Sequence, residues 1–184
     1  MVANVLRYSL MYGVLPLWIL AGLADWGCHR RTSIERTSGL RESAFHFVLF
    51  GQMGLGGLAA LLLEINGGVL VLFAMLFCLH EVTTWFELRF VQPLRHITPT
   101  EQMVHSFMEI IPLAGLVMLG ALHPQQLTSL FSSAPTDWQL QLKAEPLPAT
   151  YLVLAVGGVF LLNLLPLMEE AYRCWRVRAS RYPW

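Results

Sequence analysis

The chain has 184 residues, 55% of them hydrophobic and 13% charged, with a formal net charge of zero and a mean hydropathy of +0.54. That balance is too apolar for a soluble domain of this size and fits a single integral membrane domain. No dense Lys/Arg patch is interleaved with aromatics, which excludes nucleic acid as a partner, and Cys28, Cys78 and Cys174 form no CxxC pattern and read as free thiols.

Apolar stretches of about 20 residues, enough to cross a bilayer as helices, run over 4–27, 43–65, 67–87, 102–122 and 149–168. They predict an all-α fold, a polytopic membrane helix bundle of about five transmembrane helices. The first stretch also has the shape of a signal peptide, with Gly22-Leu23-Ala24 at the cleavage position. Arg30, Arg31, Arg36 and Arg41 follow at once and resist translocation, which favours a span. Arg89 and Arg95 lie between the third and fourth stretches, and Arg173, Arg176, Arg178 and Arg181 follow the fifth. By the positive-inside rule these three segments are cytoplasmic and the N-terminus is outside. The expected layout is core helices over 4–122, an outer loop over 123–148 with a short helix near Trp138, a fifth span over 149–168, and a cytoplasmic tail over 169–184. In that tail Glu169 and Glu170 pair with nearby arginines.

Ionisable groups at membrane depth are costly and mark functional sites. Here they cluster at the ends of four apolar stretches as Asp25/His29, Glu42/His46, His80/Glu81/Glu87 and Glu101/His105/Glu109. The predicted topology brings all four ends to one side of the membrane. The i, i+4 steps put each acid and histidine on one helix face. With about 6 Å of rise between such neighbours, two layers are expected: Asp25, His46, His80 or Glu81, and Glu109 deeper; His29, Glu42, Glu87 and Glu101 shallower, with His105 between.

Carboxylate and imidazole without thiolate suit iron, manganese or zinc, and two ions about 3.5–4 Å apart with bridging carboxylates fit such a stack. The metal-ligand set read from the sequence is Asp25, His29, Glu42, His46, His80, Glu81, Glu101, His105 and Glu109. Each has an ordinary reading as well. Thr98-Pro99-Thr100-Glu101 matches a capping box, Glu42 favours a helix dipole, and Glu81 and Glu87 have Arg89 or Arg95 as partners. His46, His80, His105 and Glu109 sit inside apolar stretches, where an unpaired polar group is expensive. Glu35 and His96 fall in loops, and Glu64 lies at the wrong end of its span. Gly51, Gly54, Gly56 and Gly57 form a small-residue patch expected to bring helices close, within the chain or in a homodimer. Trp85 reads as an interface anchor, with shielding of the site as the alternative.

Over residues 20–110 this ligand chemistry resembles the ferritin-like and hemerythrin-like di-metal helix bundles, which implies a four-helix metal-binding core with the fifth span packed outside it. The acid–histidine pairs here are spaced by four rather than in Glu-x-x-His, and the HxxxH and HxxHH boxes of membrane fatty-acid desaturases are absent. Asp25-Trp26-Gly27-Cys28-His29-Arg30, Ile34-Glu35-Arg36-Thr37-Ser38-Gly39 and Glu101-Gln102-Met103-Val104-His105-Ser106 resemble a group of small bacterial inner-membrane proteins, which implies a bacterial source.

The functional expectation is a membrane metalloprotein: a di-iron or related di-metal oxidoreductase acting on a lipid, a hydrocarbon or a quinone. Zinc and manganese are the alternative metals. A zinc-dependent membrane hydrolase and a b-type haem protein with axial pairs among His29, His46, His80 and His105 are the alternative classes. No nucleotide loop or flavin fingerprint is present, so electrons come from a donor protein or a quinone.

Overall fold

The computed structural model describes residues 1–181. The side chains of Ser180 and Arg181 and the end of the expected tail, 182–184, lie outside the described residues. Six helices are built: α1 (Val2–Thr32), α2 (Leu40–Leu62), α3 (Gly67–Val91), α4 (Pro99–Leu122), the short α5 (Pro124–Ser129) and α6 (Ala149–Ala179). All but α5 are long and apolar enough to cross a membrane. Large apolar side chains such as Leu17, Val48, Met75, Ile110 and Val153 point outwards, as a bundle solvated by lipid requires.

Local sequence explains the helix ends and irregularities. Asn66 caps α3 by accepting from Val69 N–H at 3.0 Å, and Thr98 with Glu101 closes a reciprocal capping box on α4. A π-helical turn occupies Leu10–Val14 in α1, just before Pro16, and another Phe160–Leu164 in α6, just before Pro166. Proline lacks an N–H and crowds the carbonyl four residues back, and a wider turn relieves both problems.

The helices run past the apolar stretches at the polar end. α1 continues to Thr32, α2 starts at Leu40, α3 reaches Val91 and α4 begins at Pro99, so the polar clusters stand on regular helix. The largest departure is α6. The segment expected to be a tail continues as helix, and Leu167, Glu170 and Cys174 form a buried stripe on it. Nor does α6 lie outside a four-helix core: it packs on both α2 and α1, while α2 also packs on α3 and α1 on α4. Asn163 of α6 donates to the Ile19 carbonyl of α1 at 3.0 Å, beside Gly22.

The 123–148 segment folds over the α2–α3 connection. Glu64 N–H donates to Gln141 O at 2.9 Å, Lys143 N–H to Leu62 O at 2.9 Å and Gly68 N–H to Asp137 O at 3.0 Å. A Cβ on Gly67 would meet Thr136 at 2.3 Å and one on Gly68 would meet Trp138 backbone at 3.0 Å, so these glycines allow the crossing. The short helix is α5, and Trp138 lies outside any helix and is exposed. Beneath this cover lies an apolar cluster of Ala59, Ile65, Val69, Leu70 and Phe73.

Within the chain the glycine patch of α2 brings no helix close except at Gly56. A Cβ at Gly51, Gly54 or Gly57 would meet nothing within 4 Å, and only Gly56 touches α3, through Leu76 at 3.7 Å and Phe73 at 4.0 Å.

Candidate metal centre

Every long helix contributes to one buried polar cluster. Asp25 and His29 come from the end of α1, Glu42 and His46 from the start of α2, Glu87 from the end of α3, and Glu101 and His105 from the start of α4. Glu170 enters from α6, and Arg95 from the α3–α4 connection.

Glu170 lies at the centre of the hydrogen bonding. One of its carboxylate oxygens is 3.0 Å from His29 Nδ1 and the other 2.7 Å from His46 Nδ1, and the two rings stack with centroids 4.4 Å apart. With both Nδ1–H groups donating to Glu170, both Nε2 atoms carry lone pairs when the imidazoles are neutral. Those atoms face further carboxylates. His29 Nε2 is 3.5 Å from Asp25 and 3.4 Å from Glu101; His46 Nε2 is 2.7 Å from Glu87 and 4.0 Å from Glu42. Neither Nε2 makes an aligned hydrogen bond, although both are buried. Imidazoles held through one nitrogen by a carboxylate, with the other turned towards a ring of oxygens, have the geometry of metal ligands and their outer-shell support.

Charge makes the same point. Asp25, Glu42, Glu87, Glu101 and Glu170 are all buried, with Glu42 and Glu170 each 1% exposed and Glu101 0%. The one guanidinium among them is Arg95, which reaches Glu42 at 2.5 Å and Glu101 at 2.5 Å. Burial opposes the Arg95 charge, yet its hydrogen bonds to Glu101 and Glu42 hold its pKa above the ordinary arginine value. Five carboxylates against one guanidinium leave four negative charges when the imidazoles are neutral, an excess that a buried site sustains only with added protons or further cations.

Two overlapping sets of donor atoms could hold a metal ion: Asp25, His29, Glu101 and His105 form one, and His29, Glu42 and His46 the other, with all atoms of a set within 4.8 Å of one another. His105 joins through Asp25, its Nε2 3.0 Å from the carboxylate. The two expected layers therefore merge. Helix side chains lean towards the N-terminus, so each histidine reaches back over the acid four residues before it.

Of the residues read from the sequence as ligands, Asp25, His29, Glu42, His46, Glu101 and His105 meet here. His80, Glu81 and Glu109 do not: among the described residues no hydrogen bond, ion pair or donor set links them to the cluster. His80 and Glu109 instead face the cavity below it. Glu101 fills both roles proposed for it, closing the capping box while standing beside His29. Glu42 belongs to the first turn of α2 and also accepts from the Ser38 hydroxyl. Glu81 and Glu87 do not pair with Arg89 or Arg95 among these contacts; Arg95 holds Glu42 and Glu101, and Arg89 lies over the Trp85 ring at 4.9 Å. Trp85 is exposed on the outer surface and does not shield the site. Glu170 is a residue the sequence reading placed in a tail. Glu169 does pair with arginines, Arg30 and Arg173.

A cavity of about 350 Å³ runs from this cluster into the bundle. Its walls are largely apolar, with Trp18, Phe50, Met53, Met108 and Phe160 among them.

No protein-family model matches the chain, and neither a characterised protein nor a solved structure matches it.

Proposed function

We propose that this cluster is a dinuclear centre for divalent metal, iron first, and that the protein is a membrane oxidoreductase acting on a lipid-soluble substrate. One observation carries the reading: five buried carboxylates face a single guanidinium, with two buried imidazole Nε2 atoms turned towards them. Asp25, His29, Glu101 and His105 would hold one ion, and His46, Glu42 and Glu87 the other, with Glu170 fixing both imidazoles from behind. Iron in carboxylate and imidazole surroundings supplies oxygen-dependent oxidation when bound.

The remaining parts of the chain serve that chemistry. Arg95 tethers Glu42 and Glu101 so that they do not turn outwards. The apolar cavity excludes water and admits a hydrocarbon. Zinc or manganese in the same site is an alternative occupant. A porphyrin fits poorly, because the His29 and His46 rings stack 4.4 Å apart with nothing between them.

In this reading the chain spans a bacterial inner membrane with the cluster towards the cytoplasm. Support comes from the cations: of the 12 Lys and Arg residues, all but Arg7 and Lys143 belong to the site end. Electrons arrive from a donor protein or a quinone.

The test is metal analysis of purified protein with optical and Mössbauer spectra, recorded after anaerobic reduction and again after exposure to oxygen. Bound iron with an oxygen-dependent spectral change is expected. A Soret band would replace this reading with a haem protein. Zinc alone, silent in the spectra and accompanied by ester or amide hydrolysis, would replace it with a hydrolase.

A further inference from the structure

The cavity below the cluster is not the only one. A second, of about 550 Å³, opens at the opposite end of the bundle. Leu15, Trp18, Met53, Gly57 and Leu61 line both. The two spaces therefore share a wall in the middle of the bundle. Gly57 stands at this junction and Gly54 on the cluster side of it, and a Cβ on either would meet nothing within 4 Å. These glycines leave open the volume that larger residues would fill.

Length and polarity constrain what the two spaces, taken together, can hold. His46 at the cluster and Leu62 at the end of α2 are sixteen residues apart on one helix, about 24 Å of rise. That is most of the roughly 30 Å hydrocarbon thickness of a bilayer. The wall between the ends is apolar, with Trp18 opposite Met53 at the junction. The far mouth is polar, lined by Arg7, His123 and Lys143 with Glu64 and Glu145. Glu64 is engaged by Ala144 N–H at 2.8 Å, and Lys143 donates to the Ala60 carbonyl at 2.9 Å and to that of Leu63. The donors Arg7 and His123 remain at the rim for a ligand head.

We propose that the two cavities form one channel for a single-chain amphiphile, its carboxylate or phosphate head at the Arg7/His123 mouth and the far end of its hydrocarbon chain beside the metal cluster. This rests on the metal reading of the cluster and narrows its substrate to a long alkyl chain presented by its end. A quinone in the reverse orientation would place its ring at the cluster and leave the polar mouth without a role.

Photolabelling of the full chain in nanodiscs tests it, with two stearate probes and matching lysophosphatidate probes. A diazirine on the terminal carbon should label the Leu49–Met53 region or Met108, and one beside the head should label the Leu122–His123 or Lys143–Leu147 region. Labelling by stearate alone identifies a free fatty acid as the ligand, and labelling by lysophosphatidate identifies a phospholipid; either supports the channel. Gly57→Phe should abolish deep labelling while metal content stays unchanged, and Gly51→Phe, on an exposed face, should alter neither. If Gly57→Phe does not fold, Gly54→Leu carries the same expectation. Deep labelling that survives these plugs, a reversed order of labels, or label confined to exposed residues such as Met75 and Val153 overturns the proposal. Labelling needs no bound metal, so a metal-free protein that still shows the ordered pattern removes the metal reading and leaves the channel standing.

Discussion

Glu170→Gln separates a metal centre from a network of ion pairs. The amide keeps the size and shape of the side chain but offers one acceptor where the carboxylate offers two, and the Nδ1 atoms of His29 and His46 lie 3.0 and 2.7 Å from those two oxygens. One imidazole must therefore lose its partner and the orientation of its Nε2. Losing an outer-shell partner of this kind typically weakens metal binding by about 10- to 100-fold, or roughly 1.4–2.7 kcal/mol. Without metal the sign differs, because the variant removes one of five crowded carboxylates and relieves repulsion. The melting temperature of the variant should then match or exceed that of the parent in chelator, and fall below it at a fixed metal concentration that saturates the parent. If the cluster were instead a set of charged histidines paired with acids, removing a buried partner would cost about 3–5 kcal/mol with or without metal. Equal destabilisation under both conditions would falsify the metal assignment.

Three further outcomes follow from the same geometry. His29→Ala and His46→Ala should lower bound metal, whereas His80→Ala and His96→Ala should leave it near the parent level in elemental analysis; metal lost with His80 would return that residue to the ligand set. Arg95→Met removes a guanidinium only 4% exposed that holds two buried carboxylates, and should cost about 3–5 kcal/mol in the metal-free protein, read by thermal unfolding in detergent. A change under 1 kcal/mol would mean that the carboxylates are neutralised some other way. Cysteine labelling at Arg36, Lys143 and Arg178 should place Arg36 and Arg178 on the cytoplasmic side and Lys143 opposite; an outward Arg36 would reverse the orientation.

Much of the fold was legible because hydropathy reports contact with lipid, and five apolar stretches yielded five long helices. Hydropathy failed at the helix ends for a related reason: it stops at the first charges, while helices continue wherever those charges find partners inside. Asp25, His29, Glu42, His46, Glu101 and His105 were readable from their four-residue spacing. Glu170 was not, because a pair of acids followed by arginines resembles a solvated tail. The three- and four-residue spacing of Leu167, Glu170 and Cys174 was the available signal, and it marks a buried helix face. Spacing also placed His80 and Glu109 on helix faces turned towards the bundle, but depth decided whether they reached the polar cluster. The α2 glycines make few contacts within the chain: small residues can bring helices together or keep a space open, and composition alone is the same in both cases.

The open interior has a consequence for how the bundle holds together. Between membrane helices there is no hydrophobic driving force, so close packing and polar contacts supply cohesion. With a channel along its middle, this bundle has little packing there. At the far end the Ala59–Phe73 cluster and the overlying 123–148 segment join α2, α3 and α4. At the site end cohesion falls to the charged cluster, and when that cluster holds four uncompensated negative charges it pushes its helices apart. Chelation should therefore loosen one end only. In hydrogen exchange, amides of Asp25–Thr32 and Glu42–His46 should lose protection when metal is removed, while Val69–Phe73 should keep theirs. Uniform loss along α2 and α3 would show that metal stabilises the whole bundle as one unit, and protection unchanged at Asp25–Thr32 would show that the cluster coheres without it.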